Sequence, residues 1–129
     1  MTNLPDALHG YHIHIYYDDL SKPTAERLRD ELASRFAVQP GRIAGIAGPH
    51  PVPQLAVIFK KEAFDQVVRW LMLNREGLNI LVHPLSDNQY DDHGANALWL
   101  GMPVALLMDT LPHGPYSRRL LPDAVTTAP

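Results

Sequence analysis

The sequence predicts an α+β domain of the ferredoxin-like plan, βαββαβ, with both helices on one face of an antiparallel sheet and a C-terminal extension beyond the last strand. Three observations carry that prediction. The segment Tyr11-His12-Ile13-His14-Ile15-Tyr16-Tyr17 alternates as a strand does. Two amphipathic stretches of helical period, 24–37 and 62–74, are each bracketed by strand-like runs. Proline and glycine punctuate the joints between them. A chain of 129 residues fits one compact domain, with a core over about 10–111 and residues 112–129 as a C-terminal arm or tail.

In the opening strand successive side chains point to opposite faces. His12, His14 and Tyr16 therefore share one face, and Tyr11, Ile13, Ile15 and Tyr17 share the other. Asp18-Asp19 is a solvated turn, Pro23 suits a first helical turn, and Ser21 or Thr24 offers an N-cap. Leu28, Leu32 and Phe36 recur at four-residue spacing along the first helix. Gln39-Pro40-Gly41 breaks the chain before a weak strand over 42–47. Gly48-Pro49-His50-Pro51-Val52-Pro53 cannot be regular structure, because its prolines remove donors and restrict their neighbours, so it is a stiff loop carrying a histidine.

The run 54–59 alternates Leu55, Val57 and Phe59 with smaller or polar residues, as a strand half buried against helices would. The second helix presents Phe64, Val67, Val68, Leu71 and Met72 on one face and stops at Gly77. A fourth strand spans 78–83 and ends at His83-Pro84. Residues 86–93 read as polar turn, 95–100 as apolar, and the apolar run 103–111 as a possible added strand. Past Pro112 the composition, through Thr126-Thr127-Ala128-Pro129, is that of a surface arm or disordered tail. With the helices on one face, the histidine face is left to a dimer partner, to the C-terminal segment or to a ligand.

Composition narrows the chemistry. With 46% hydrophobic and 19% charged residues and no long apolar run, the chain reads as an ordinary globular protein without a membrane span. The start Met1-Thr2-Asn3-Leu4-Pro5-Asp6 lacks the pattern of a secretory signal, so a cytoplasmic location is expected. A net charge of -3 without a basic stripe argues against nucleic acid as partner. The absence of cysteine excludes disulfides, thiolate ligands and a cysteine nucleophile. Any metal must be held by His, Asp, Glu or water.

Five histidines stand where sites collect: His12 and His14 on the first strand, His50 in the stiff loop, His83 at a strand end, and His93 after Asp91-Asp92. Neutral imidazole is the commonest metal ligand and exchanges protons near neutral pH. Asp91 or Asp92 could complete a two-His-one-carboxylate iron triad, against the plainer reading of both as turn or cap residues. His9 and His113 read as surface residues. Glycine-rich phosphate loops, GxSxG and HExxH are all absent.

Tyr11-His12-Ile13-His14-Ile15-Tyr16, Gly48-Pro49-His50-Pro51, Leu81-Val82-His83-Pro84, Asp92-His93 and Ala97-Leu98-Trp99-Leu100-Gly101 together resemble the DOPA 4,5-dioxygenase-like family of small aromatic ring-opening enzymes, over about residues 10–105. One departure is Leu85-Ser86-Asp87-Asn88, where a Thr-Gly-Asp-like turn is expected. The resemblance implies a dimeric ferredoxin-like protein that cleaves a catechol such as DOPA with O₂ at non-haem Fe(II). Its histidine motifs map to His12, His14, His50 and His83, with His93 accompanying; on these residues we expect His14, His50 and His83 as metal ligands, His12 as the base taking the catechol proton, and Tyr16 and His93 as further catalytic residues. Arg75 would meet a substrate carboxylate and Trp99 the substrate, each with a plainer reading as surface charge and core aromatic. A non-catalytic dimeric ligand-binding domain and a zinc hydrolase with three His ligands are the alternatives.

Overall fold

The computed structural model describes residues 8–122. The start 1–6, where no secretory signal is expected, and the end of the expected arm or tail, 123–129, lie outside the described residues. Strand β1 (Tyr11–Tyr16) leads into helix α1 (Lys22–Arg35), followed by β2 (Val38–Gly45) and β3 (Gln54–Phe59). A single 3-10 turn, Lys61–Ala63, enters α2 (Phe64–Asn74), and then come β4 (Ile80–Pro84), a short α3 (Gln89–His93) and β5 (Leu98–Leu100). The strands form one antiparallel sheet in the order β2-β3-β1-β4-β5. This is the ferredoxin-like α+β fold with one strand added at the β4 edge.

The core lies between the sheet and its two helices. Ile13, Ile15, Leu55, Val57, Phe59, Ile80 and Val82 project from β1, β3 and β4 against Ala25, Leu28 and Leu32 of α1 and Val67, Val68 and Leu71 of α2. Each large side chain so buried contributes about 1.5–3 kcal/mol. The period-2 pattern of β1 thus does what its sequence implies, committing Ile13 and Ile15 to the core and the histidines to the other face.

Several boundaries differ from the sequence reading. Strand β2 begins at Val38 and runs through the expected break at Gln39-Pro40-Gly41. It is an edge strand, where a proline without an N–H is tolerated, and its register shifts between Pro40 and Ala44. Gly41 is required there, because a Cβ would lie 2.8 Å from that of Ala56. Strand β3 is buried on both faces rather than one. Met72, about 100° around the helix from Leu71, turns to solvent and is 59% exposed. Ser21 precedes α1 without a side-chain cap, its hydroxyl being held by Asp18 instead.

The polar stretch 86–93 is no simple turn. Asn88 accepts from the Asp91 N–H at 3.1 Å and starts α3. The added strand is β5, and the run 103–111 does not join the sheet. Its backbone is taken instead by the His50 loop, through Leu107 N–H to Pro49 O at 2.8 Å, and by a 3-10 turn at Met108–Thr110. On the histidine face, Leu85, Tyr116, Leu120 and Leu121 pack on Ile58, so the C-terminal segment covers part of that face and leaves a cavity beside it.

Candidate metal centre and its cavity

Strand register assembles the site. In an antiparallel ladder, residues directly opposite share a face. His12 stands opposite His83 on β4 and Ile58 on β3, and His14 opposite Leu81 and Ala56. Tyr16 stands opposite Gln54. The proline-stiffened loop delivers His50 and the last residue of α3 is His93, so five histidines from four segments are buried together. A cavity of about 270 Å³ opens on His12, His14, His50 and His93, with Gly41, Ala56, Tyr116 and Leu120 among its walls. His83 is fully buried behind them.

Hydrogen bonds decide where the imidazole protons reside. Pro84 O and Gln89 O can only accept, so His83 and His93 each donate from Nδ1–H, both at 2.8 Å. Gln54 donates its Nε2–H to Gly45 O at 3.2 Å, which turns its Oε1 toward His14 to accept from Nδ1–H at 2.8 Å. All three rings therefore keep a bare lone pair on Nε2. The Nε2 atoms of His14 and His83 lie 3.1 Å apart, two acceptors facing one another.

Such a pair repels unless a cation lies between. A spacing near 3.1 Å is what two nitrogens about 2.0–2.1 Å from one metal adopt at an angle of roughly 100°. The ring centroids of His12, His14 and His83 also form a nearly equilateral triangle, 5.3, 5.3 and 5.2 Å on a side. Their ligating atoms lie within 4.8 Å of one another, and so do those of His14, His50 and His93. The second triangle is lopsided, at 4.1, 6.2 and 6.3 Å, with the His50 ring lying close against that of His14. The donor set fits a divalent metal, and the more regular trio is His12, His14 and His83.

Burial sets the charge state. It pushes His12 down to about 3, helped by the charges His93 and His50 would carry, and His50 down to about 4 with help from His93. It holds His14 and His83 well below the usual imidazole range and lowers His93 as well. Neutral rings are what metal ligation requires. Tyr16, raised by burial, stays a phenol. It shares a 2.7 Å hydrogen bond with His50 Nδ1, and its ring stacks on Trp99 at 5.8 Å.

The sequence-predicted residues are not all brought together. His12, His14, His50, His83, His93 and Tyr16 converge, but the expected ligand trio His14, His50 and His83 is split between the two triangles. Trp99 is not among the cavity walls, and its ring stacks on that of Tyr16. Arg75 does not reach the cavity: its guanidinium donates to Leu78 O at 2.8 Å and lies against Gly101. The carboxylate considered as a third ligand, Asp92, is occupied elsewhere. It accepts from Ser86 N–H at 2.7 Å, Ser86 Oγ–H at 2.6 Å and Tyr116 O–H at 2.9 Å.

Two participants escaped the sequence reading. Gln54 carried one signal, a polar residue on the histidine face of an apolar strand. Tyr116, stacked within 11° of parallel to His83, sits in the C-terminal arm and carried none.

The family model of the Dopa 4,5-dioxygenase family matches residues 11–110, a span that includes all five histidines. The chain belongs to the Dopa 4,5-dioxygenase family. It is 30% identical to DOPA 4,5-dioxygenase of Amanita muscaria over 86% of this chain and 53% of that protein. It is 33% identical to an "Uncharacterized 21.2 kDa protein" of Botryotinia fuckeliana, over 75% of this chain and 60% of that one. The chain thus spans little more than half the length of these curated relatives. A crystal structure from Nostoc punctiforme PCC 73102, described as "a putative dioxygenase", superposes with a TM-score of 0.80 at 44% identity, over 84% of this chain and 96% of that one. No helix among the described residues is long and apolar enough to cross a membrane.

Proposed function

We propose that this protein is an extradiol dioxygenase that opens the ring of a catechol such as DOPA with O₂ at a non-haem Fe(II). The observation that carries the reading is the trio His12, His14 and His83, with a 3.1 Å pair of facing Nε2 atoms, of which His12 and His14 line a cavity of about 270 Å³. A cavity of about 150 Å³ already accepts benzene, so one substituted aromatic ring fits this one. Similarity to the Amanita enzyme supports DOPA among the catechols to try first.

His12, His14 and His83 would hold the iron, so that His12 takes the ligand place expected of His50 and leaves the proton-accepting place to another histidine. Bound Fe(II) supplies a template for catechol and O₂ and a route for electrons between them. The other residues handle substrate and protons. His93, protonated on Nδ1 by its bond to Gln89 O, offers Nε2 as the acceptor for a catechol hydroxyl proton. His50, bonded at Nδ1 to Tyr16, has Nε2 left for the cavity. Ala56, Ile58, Leu111 and Leu120 supply apolar walls that keep water from the reacting ring.

The test is to load the full chain with Fe(II) without air, add DOPA or caffeate, and admit O₂. The expected result is O₂ uptake with a yellow ring-opened product, both lost in His14→Ala. A protein that takes up no O₂ and forms no such product overturns the proposal, and an O₂-independent activity with zinc would mark a hydrolase instead.

A further inference from the structure

We infer that Gln54 is a positioning residue that holds the His14 proton on Nδ1 and so keeps Nε2 open for the metal; the inference rests on the metal reading above. Gln54 is fully buried and opens β3. Its amide is tied at both ends, Nε2–H to Gly45 O at 3.2 Å and Oε1 to His14 at 2.8 Å, so it cannot turn over without losing both bonds. The carbonyl that orients it belongs to Gly45, at φ +77°, a conformation that favours glycine.

The three anchored rings differ in what anchors them. His83 and His93 donate to backbone carbonyls that no substitution removes. The proton of His14 is placed by a side chain alone. Without that acceptor it has a ready alternative on Nε2, from which it donates across 3.1 Å to Nε2 of His83. A proton would then lie between the two nitrogens that the metal needs, and the metal would have to displace it. Losing a hydrogen-bond partner of a ligating histidine typically weakens metal binding about 10–100-fold.

The experiment uses the full chain with ¹⁵N-labelled histidine, and Zn²⁺ as a redox-silent probe titrated against a competing chelator. Long-range ¹H–¹⁵N correlations on the metal-free protein should show His14 protonated on Nδ1. Gln54→Leu should move that proton to Nε2 and weaken Zn²⁺ binding about 10–100-fold. Gln54→Glu, whose carboxyl can accept the same bond, should restore both. Wild-type His14 protonated on Nε2, or Gln54→Leu binding Zn²⁺ as tightly as wild type, overturns the inference and leaves the metal reading standing. If Gln54→Leu does not fold, the wild-type tautomer decides. A wild-type chain that binds no Zn²⁺ overturns the metal reading and this inference with it.

Discussion

The two faces of the same three central strands are built on opposite principles. Toward the helices, Ile13, Val57 and Val82 stand side by side in register within the apolar core. One residue along, His12, Ile58 and His83 stand side by side on the other face, where imidazoles are buried. Both faces are buried, but the first gives its whole area to apolar packing, whereas the second divides its area between the packing of Ile58 against Leu85 and Tyr116 and a set of imidazoles. The second holds rings neutral that water would let ionise, and its worth lies in the lone pairs it exposes to a cavity. The contrast shows how a period of two lets one strand serve stability and chemistry at once.

Acid should separate the faces most sharply. Free imidazole titrates near 6.5, whereas His12 and His50 in the fold lie near 3 and 4. Between those values and 6.5 the unfolded chain binds more protons than the folded one, so stability is full above about pH 6.5 and falls as pH drops toward 4. Unfolding midpoints of the metal-free protein across that range should show the decline, and a flat profile would contradict the neutral burial of the rings.

A matched pair of substitutions on adjacent residues of β1 comes next. His12→Leu should weaken Zn²⁺ binding by more than the roughly 100-fold expected of a supporting residue while leaving the unfolding midpoint unchanged or higher. Ile13→Ala should do the reverse, costing about 2–5 kcal/mol of stability with Zn²⁺ affinity intact in the folded protein. Chelator competition and denaturant titration measure the two. Loss of metal binding in both variants would mean that the faces are not independent.

The smallest effect belongs to the edge of the histidine face. Tyr116→Phe removes one of three donors from the buried Asp92 carboxylate and should cost about 1–3 kcal/mol. Because the ring that stacks near His83 remains, the Zn²⁺ affinity should hold. A larger loss of metal binding than of stability would give Tyr116 a part in aligning the ligands.

Much of this was legible in the residues. Alternation in β1 sorted Ile13 and Ile15 from His12 and His14, and the four-residue spacing of Leu28 and Leu32 located α1, because both patterns are local consequences of backbone geometry. Strand β2 starts at Val38 rather than 42 although Pro40 and Gly41 read as a break, because an edge position with a register shift accepts them. Arg75 was offered to the substrate because charge near a helix end is visible in sequence while its direction is not; its partner is Leu78 O. Asp92 reads from the sequence as a turn or cap residue with a metal ligand as the alternative, and its three donors occupy the carboxylate.

The sequence by itself determined the fold class, the family and the set of five histidines, since hydrophobic period, turn residues and ordered motifs are written along the chain. Tertiary structure alone decided how those five rings divide. His12 joins His83 through strand register, and His14 owes its tautomer to Gln54, forty positions along the chain. His50 is turned to Tyr16, and Tyr116 arrives from the C-terminal arm. Ligation and proton placement depend on distances of about 3 Å between residues remote in sequence, and such distances exist only once the sheet has paired and the loops have closed over it.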